Sequence, residues 1–216
     1  VGQRLVEHLI TLGYSVNTLG RGTNSLAGCG HFTWDVEAGT FDTEALLGVT
    51  AIIHLAGAGI IDKRWTKSRR KEIIDSRVKS AGLLYNYLQQ NKHEVKTFIS
   101  ASAVGYYGDC GDETITEDRP AGKGFLAEVC VKWEDAARQF TRLGIREVRC
   151  RIGIVLAKEG GALPELTKSL PFGVAPYFAK TNLSYPWIHL EDVCGIFIHA
   201  LQHPDVKGAI NTTSPN

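Results

Sequence analysis

The segment VTAIIHLAG, residues 49–57, is a nearly continuous apolar run that ends in a glycine. Such a run is typical of a strand that is buried on both faces of a parallel sheet. The segment VKTFISAS, residues 95–102, has the same character, and the amphipathic stretch between the two, residues 66–90, is typical of a helix. A strand, a helix and a strand in this order predict two parallel strands joined by a covering helix.

The rest of the chain continues this alternation. Residues 1–12 have the apolar spacing of a helix that ends at Gly13, and residues 15–19 follow as a strand. A helix is predicted over residues 125–143, followed by the strand REVRCRIGIVL, and residues 187–204 predict a short strand that leads into a helix. We therefore predict an α/β fold, a doubly wound (Rossmann) parallel sheet with helices on both faces.

Charge and cysteine content exclude several classes of protein. The 24 Lys and Arg residues balance 23 Asp and Glu residues, and the basic run at residues 67–71 is typical of a solvated helix face, so we predict no nucleic-acid partner. The five cysteines are scattered, with no C-x-x-C pair, which predicts reduced thiols, no metal site and a cytoplasmic or organelle-matrix location. No apolar run approaches the roughly 20 residues that span a bilayer, so no membrane partner is predicted.

The predicted strands end in segments rich in Gly, Ser or Arg. These segments are GRG at residues 20–22, HLAGAG at 54–59, SASAVGYYG at 100–108 and RIGIVL at 151–156. Any one of them is explained by the geometry of a turn. A doubly wound sheet binds its ligands beyond the carboxyl ends of its strands, so the four together predict a binding site at that edge.

The motifs HLAGAG, SASAVGYYGD, RIGIVL and PWIHLEDV, in this order and spacing, resemble the extended short-chain dehydrogenase/reductases of the NAD-dependent epimerase/dehydratase family. The segments WIHLED and DSRVKSAGLL, the latter at residues 75–84, most resemble its sugar-nucleotide-epimerase-like subgroup, also called cell-division-inhibitor-like. The resemblance implies an NADP-binding Rossmann domain over residues 1–159. Residues 160–216 are then a mixed segment that contributes to a small substrate lobe and to the last Rossmann strand and helix.

The resemblance also assigns the cofactor site. The family begins with a strand and a glycine-rich turn whose amides face the dinucleotide pyrophosphate. Gly2 matches the last glycine of that turn, so the first strand and the rest of the turn are expected ahead of Val1. The family's second strand corresponds to the strand predicted over residues 15–19. Arg21 follows that strand, with no acidic residue, which favours NADP over NAD because Arg pairs with a 2′-phosphate. The alternative is that Arg21 is an ordinary exposed side chain.

Further cofactor contacts are implied at the other strand ends. Asp35 and Val36 match positions beside the adenine, although an ordinary Asp at a strand end looks the same. The glycine-rich segment HLAGAG, at the end of the strand predicted over residues 49–57, lets the backbone approach the cofactor. The remaining candidates are Leu55, Ala56, Gly57, Ala58, Ser100, Ala101 and Arg151. Arg77 resembles a subgroup-typical Arg, but a surface salt bridge explains it equally well.

Catalysis in the superfamily uses a Ser or Thr that hydrogen-bonds the reacting oxygen, and a Tyr acid/base with a Lys four residues later. Ser102 matches the Ser. In the helix that begins at Phe125, however, Leu126 and Cys130 occupy the positions of the Tyr and the Lys. Lys132 lies two residues, or about 200° of rotation, from the required face. The usual proton relay is therefore broken.

Three other side chains are candidate acid/base groups: Tyr106, Tyr107 and His189. The alternatives are packed aromatic rings for the tyrosines and a structural hydrogen bond for the histidine. One hypothesis is an NADP-dependent oxidoreductase or epimerase-like enzyme with a degenerate relay, acting on a small carbonyl or sugar-nucleotide substrate, in a chain that allows a homodimer. The second is a catalytically lapsed NADP-binding sensor or scaffold. A third, weaker hypothesis is a protein-interaction module that uses the loop at residues 177–186.

Overall fold

The structure is a computed structural model, and it describes residues 1–22, 26–60, 63–158, 160–174 and 185–215. The helices are α1 (Gly2–Thr11), α2 (Lys67–Gln90), α3 (Phe125–Arg138), α4 (Ala162–Thr167) and α5 (Leu190–Gln202). The strands are β1 (Asn17–Gly20), β2 (Gly30–Asp35), β3 (Thr40–Phe41), β4 (Ala51–His54), β5 (Thr97–Ala103), β6 (Arg146–Ile152), β7 (Ile154–Ala157), β8 (Gly160–Gly161), β9 (Trp187–His189) and β10 (Gly208–Thr212).

The main sheet has four parallel strands in the order β10-β6-β5-β4. A second sheet pairs β1 with β2 in parallel and β2 with the short β3 in antiparallel. Helices α2 and α3 are the crossovers between β4, β5 and β6, as the alternation of strands and helices predicts. The predicted Rossmann-like α/β fold is therefore confirmed, whereas the division at residue 159 and the strand expected ahead of Val1 stay predictions.

Apolar cores on both faces of the main sheet explain the continuous hydrophobicity of its strands. Consecutive strand residues point to opposite faces. On β5, Ile99 belongs to the core that contains Leu9 of α1 and Phe197 of α5. Its neighbour Phe98 belongs to the other core, where its ring stacks on Phe140 with centroids 3.6 Å apart. Because both faces are buried, β5 tolerates few polar side chains, and those it carries need partners.

Gly153 divides the segment that the sequence predicts as one strand, residues 146–156. A Cβ atom at this position would lie 2.6 Å from the carbonyl oxygen of Pro186, so only glycine lets the two backbones pass so closely. The chain leaves the main sheet there, and β7 pairs with β8 and β9 in a separate three-stranded sheet. The prediction of a single strand is therefore wrong.

Two further predictions concern the surface of the molecule. In the part of the chain that the structure describes, no helix is long and apolar enough to cross a membrane. The loop proposed as a protein-interaction module, residues 177–186, lies largely outside the described residues, which resume at residue 185. That third hypothesis therefore stays a prediction.

Candidate functional site

The N-terminus of α1 lies beside the segment that follows β4. A Cβ atom added at Gly2 would lie 3.7 Å from Cδ1 of Leu55, so these two cofactor candidates are neighbours. Among the described residues no side chain caps α1. Its first backbone N–H groups, together with the positive end of the helix dipole, therefore form a surface that suits a phosphate.

Arg21 and Asp35 line one surface groove of about 570 Å³ where β1 and β2 end. Oδ1 of Asp35 accepts hydrogen bonds from the backbone N–H groups of Glu37 and Ala38, at 3.0 and 2.9 Å, and so shapes the turn that contains half-buried Val36. The structure thus brings the predicted adenine-side residues together with the predicted phosphate-binding Arg21.

Arg21 and Lys63 both act on the carboxylate of Glu72. The pKa of Glu72 is lowered, first by its hydrogen bond from Arg69 and further by the positive charges of Lys63 and Arg21. Lys63 and Arg21 therefore lie within electrostatic range of the same carboxylate. Arg21, exposed at the end of β1, suits a phosphate group better than a ribose hydroxyl.

The loop after β4 is held in place by the side chains of α2. Ser76 Oγ accepts a hydrogen bond from the N–H of Ala58 at 2.9 Å, and Arg77 Nη1 donates to the Ala58 carbonyl at 3.0 Å. About two turns earlier on α2, Arg69 Nη2 donates to the carbonyl of Gly59 at 2.5 Å. Both backbone groups of Ala58 are thereby fixed, and the loop that is expected to face the cofactor has a defined shape.

Arg77 also explains the glycine at position 57. A Cβ atom there would lie 2.8 Å from Cζ of Arg77, closer than real Cβ contacts allow. The guanidinium is buried against this glycine, with 6% of the residue exposed. The surface salt bridge that the sequence allows for Arg77 is therefore wrong, and a Cβ atom at position 57 would require the guanidinium or the loop to move.

His54, at the end of β4, completes the contacts between this strand and α2. Its Nε2 lies 2.8 Å from Oγ of Ser80, and burial, with the positive charge of Arg77 nearby, lowers the pKa of His54 to about 4. The ring is neutral at physiological pH and has a structural role. The sequence alone did not indicate the roles of His54, Ser76 and Ser80. The polar positions 76, 77 and 80 on one face of the DSRVKSAGLL helix were the signal that could have found them.

Ser102 does not occupy the position that its predicted role requires. The residue is 2% exposed, and its hydroxyl donates to Oε1 of Glu134 on α3 at 2.8 Å. Arg151 donates to the same carboxylate from Nε at 2.8 Å and from Nη2 at 3.0 Å. Burial raises the pKa of Glu134, but the hydrogen bonds from Arg151 and Ser102 outweigh it, and the net shift is downward. Ser102 belongs to a buried ionic network rather than to a substrate pocket.

Arg151 belongs to the same network, and its guanidinium is occupied by hydrogen bonds of the fold, so its assignment as a cofactor contact stays a prediction. Only 2% of the residue is exposed. Its Nη1 donates to Oη of Tyr107 at 2.8 Å and to the carbonyl of Glu117 at 2.9 Å. Tyr107 in turn donates to Oδ1 of Asn211 at 2.6 Å, and burial raises its pKa. Tyr107 is thus a packed residue that joins the loop around residue 117 to β10.

Tyr106 and His189 have different surroundings. The ring of Tyr106 is half-buried, with its centroid 3.6 Å from Cζ of Arg151. His189 is exposed, and its Nδ1 accepts the N–H of Glu191 at 3.3 Å, which caps α5. The structural hydrogen bond considered for His189 is therefore present.

Two of the remaining cofactor candidates lie inside the sheet. Ser100 is buried and its Oγ donates to the carbonyl of Ala101, which is buried as well. Both are paired with β6 in the register of the main sheet. A side-chain contact of either residue with a cofactor is not compatible with this burial.

Leu126 and Cys130 do lie side by side where the relay of the family is expected. A Cβ atom added at Gly105, just beyond β5, would lie 3.5 Å from Cβ of Leu126 and 3.9 Å from Sγ of Cys130. Burial raises the pKa of Cys130 to about 11, so its thiol is neutral. Lys132 is exposed and donates to Glu128. The structure thus confirms that neither a Tyr nor a Lys stands on this face of α3.

A model of the NAD-dependent epimerase/dehydratase family matches residues 1–125, more than half of the chain. The chain therefore belongs to the NAD-dependent epimerase/dehydratase family. An epimerase family protein of Mycobacterium leprae is 36% identical over 182 residues, which cover 84% of this chain and 59% of the relative. The human epimerase family protein SDR39U1 is 30% identical over 219 residues, with 100% of this chain and 72% of the relative covered.

Solved structures of epimerase family members have the same fold. A nucleoside-diphosphate sugar epimerase from Corynebacterium glutamicum superposes with a TM-score of 0.84 at 32% identity, over 100% of this chain and 44% of that one. Human SDR39U1, solved with NADPH, gives a TM-score of 0.84 at 28% identity, over 100% of this chain and 71% of that one. The chain spans about three fifths of the length of the mycobacterial relatives, at 59% and 60%.

Proposed function

We propose that this family member is an NADP-dependent oxidoreductase or epimerase-like enzyme with a degenerate proton relay. The groove lined by Arg21 at the end of β1 carries this proposal. Arg21 is exposed at the end of β1, and a guanidinium there favours a 2′-phosphate over a bare ribose. The NADPH in the human relative supports the same cofactor.

Each part of the site has a role in holding the dinucleotide. The N-terminus of α1, at Gly2, receives the pyrophosphate, and Arg21 pairs with the 2′-phosphate. The backbone of residues 55–58 lies alongside, fixed from behind by α2. When bound, the nicotinamide supplies hydride transfer, and the protein supplies its orientation and surroundings.

Proton transfer is the weak part of this site. Of the predicted acid/base groups, Tyr107 and His189 are occupied by hydrogen bonds of the fold, and Ser102 is bound to Glu134. Tyr106 is the one whose hydroxyl has no hydrogen bond within the described chain. A positioned acid/base contributes about 10²–10⁴ in rate, so we expect slow turnover in which Tyr106 or water moves the proton.

The second candidate is an NADP-binding sensor or scaffold in which catalysis has lapsed. The observation that favours it is the neutral pair of Leu126 and Cys130 at the relay positions, with Ser102 turned into the core. Both candidates keep the cofactor site and differ only in turnover. A small-molecule substrate, a homodimer and a cytoplasmic or organelle-matrix location remain parts of the proposal.

A panel of carbonyl compounds and nucleotide sugars, followed by NADPH absorbance, separates the two candidates. Turnover that falls at least tenfold in Tyr106→Phe, but little in Tyr14→Phe, supports the enzyme. Tyr14→Phe is the matched control because it removes the same hydroxyl from an exposed Tyr beyond the C-terminal end of α1. NADPH binding without turnover of any compound supports the sensor, and the absence of NADPH binding contradicts both.

A further inference from the structure

Arg77 is a buried cation with no acidic partner in the part of the chain that the structure describes. Its Nη1 donates to two backbone carbonyls, of Ala58 at 3.0 Å and of Ile73 at 2.9 Å, and its Nε has no hydrogen-bond partner. Burial lowers the pKa of Arg77, yet a guanidinium stays protonated inside proteins. A buried charge without a counter-ion is costly, so a stabilising or functional reason for it is expected.

The guanidinium lies between the cofactor-facing loop and α3. On one side it packs against Gly57, where a Cβ atom would lie 2.8 Å from its Cζ. On the other side its Cζ lies 4.6 Å from the ring centroid of Trp133, a cation–π contact. Trp133 is one turn of α3 beyond Cys130, and the positive charge of Arg77 acts on the Cys130 thiol. Arg77 is thus a cation next to the vacant Lys position; Arg151 also acts on this thiol, but its charge is paired with Glu134.

We propose that Arg77 is a positioning residue of the candidate site, which holds the loop of residues 55–58 and supplies the fixed positive charge that a Lys at position 130 would otherwise supply. This inference rests on the proposed NADP-dependent function. The family's Lys reaches the site from α3, whereas Arg77 reaches it from α2. A neutral residue at position 130 is required in this arrangement, because a second cation there would face Arg77 in a buried environment.

Arg69 is the natural control for this role. It is as buried as Arg77 and also donates to the loop, at Gly59, but its charge is paired with Glu72 at 2.8 Å. Removing Arg69 therefore removes a contact with the loop without removing an unpaired charge. Burial and, to a lesser extent, the charge of Arg69 lower the pKa of Arg77, so Arg69→Met removes support of the loop while the cation of Arg77 stays in place.

The experiment measures NADPH affinity by fluorescence and thermal unfolding without cofactor, in the full-length protein. We expect Arg77→Met to weaken NADPH binding about tenfold or more, Arg77→Lys to retain most of the affinity, and Arg69→Met to weaken it less than Arg77→Met. Cys130→Lys alone should lower the melting temperature, since it buries two facing cations. The double variant Arg77→Met/Cys130→Lys should bind NADPH more tightly than Arg77→Met.

Two results would overturn the inference while leaving the proposed function intact. One is a double variant, folded by circular dichroism, that binds NADPH no better than Arg77→Met. The other is equal binding by Arg77→Lys and Arg77→Met, which decides the question if the double variant does not fold. If the unmodified protein does not bind NADPH, the proposed function itself fails.

Discussion

Two buried arginines pack against neighbouring residues of α3 and differ in what neutralises them. Arg151 forms two hydrogen bonds with the carboxylate of Glu134, whereas Arg77 contacts the ring of Trp133 and backbone carbonyls. The charge of Arg151 is paired within the fold. Arg77 has no carboxylate partner among the described residues, and both arginines act on the Cys130 thiol. The difference teaches that Arg151 stabilises the fold through an ion pair, whereas Arg77 joins α2 to the loop of residues 55–58.

The largest expected effect comes from removing the carboxylate that pairs with Arg151. Glu134→Gln keeps the shape of the side chain but leaves Arg151 and Arg149 beside a neutral group. Removing one partner of a buried ion pair costs about 3–5 kcal/mol, and we expect the free energy of unfolding in urea to fall by that amount. The matched control is Glu128→Gln on the same helix, whose ion pair with Lys132 is exposed and is worth about 0.5 kcal/mol or less.

The same network predicts a dependence on pH. The pKa of Glu134 in the folded protein lies below its unfolded value of about 4.3. Its contribution to stability is therefore complete above that pH and is lost as pH falls through the folded pKa. The slope of unfolding free energy against pH in this acid range should be shallower in Glu134→Gln than in the unmodified protein. Equal slopes would show that Glu134 is not held ionised by Arg151.

The sequence predicted the fold better than the site for a physical reason. The apolar runs of β4 and β5 and the face of α2 are local patterns, and they indicate strands and helices without knowledge of their neighbours. The direction in which Ser102 points depends instead on Glu134, which is 32 residues away. The motif match placed Ser102 at the correct strand end, but it did not identify Glu134 as the hydrogen-bond partner of Ser102. The absence of the relay Tyr and Lys at positions 126 and 130 was predictable, because the residue types alone show it.

The burial of Arg77 likewise depends on contacts that are distant in sequence. The local sequence places Arg21 between two glycines at a strand end and Arg77 on a helix, but it does not show that Arg77 is buried. The pattern that could have separated them is the glycine at position 57, which is close in space and not in sequence. The antiparallel β2–β3 pairing was also missed, because a two-residue strand leaves no hydrophobic alternation to detect.

Gly57→Ala directly tests the packing of Arg77 against the loop of residues 55–58. The added methyl group would lie 2.8 Å from Cζ of Arg77, so either the loop or the guanidinium must move. Such overpacking costs about 1–3 kcal/mol, and we expect a lower melting temperature together with weaker NADPH binding. Gly82→Ala is the control, because that glycine lies in α2 with nothing within 4 Å and the substitution should stabilise the helix by about 0.5–1 kcal/mol. Unchanged stability in Gly57→Ala would mean that Arg77 does not pack against the loop.

Arg21→Ala compares an exposed cation with the two buried ones. Since Arg21 is exposed, we expect little change in unfolding free energy but a loss of about tenfold in NADPH affinity, with NADH affinity unchanged. The preference for NADPH over NADH is measured by titration of both cofactors. Arg64→Ala, another exposed Arg, should leave the preference intact. Equal affinities for the two cofactors in the unmodified protein would remove the basis for NADP specificity.

The smallest expected effect concerns His189, which the sequence offers as an acid/base and the structure places as a helix cap. Its Nδ1 accepts the N–H of Glu191, so His189→Ala should lower the free energy of unfolding by about 0.5–1 kcal/mol through loss of the cap. Asn is among the best capping residues but transfers no proton, so His189→Asn should restore stability and leave any NADPH-dependent turnover unchanged. If His189→Asn were fully stable but lost its turnover, His189 would be the missing acid/base. The rule that groups bonded within the fold are structural would then fail at this residue.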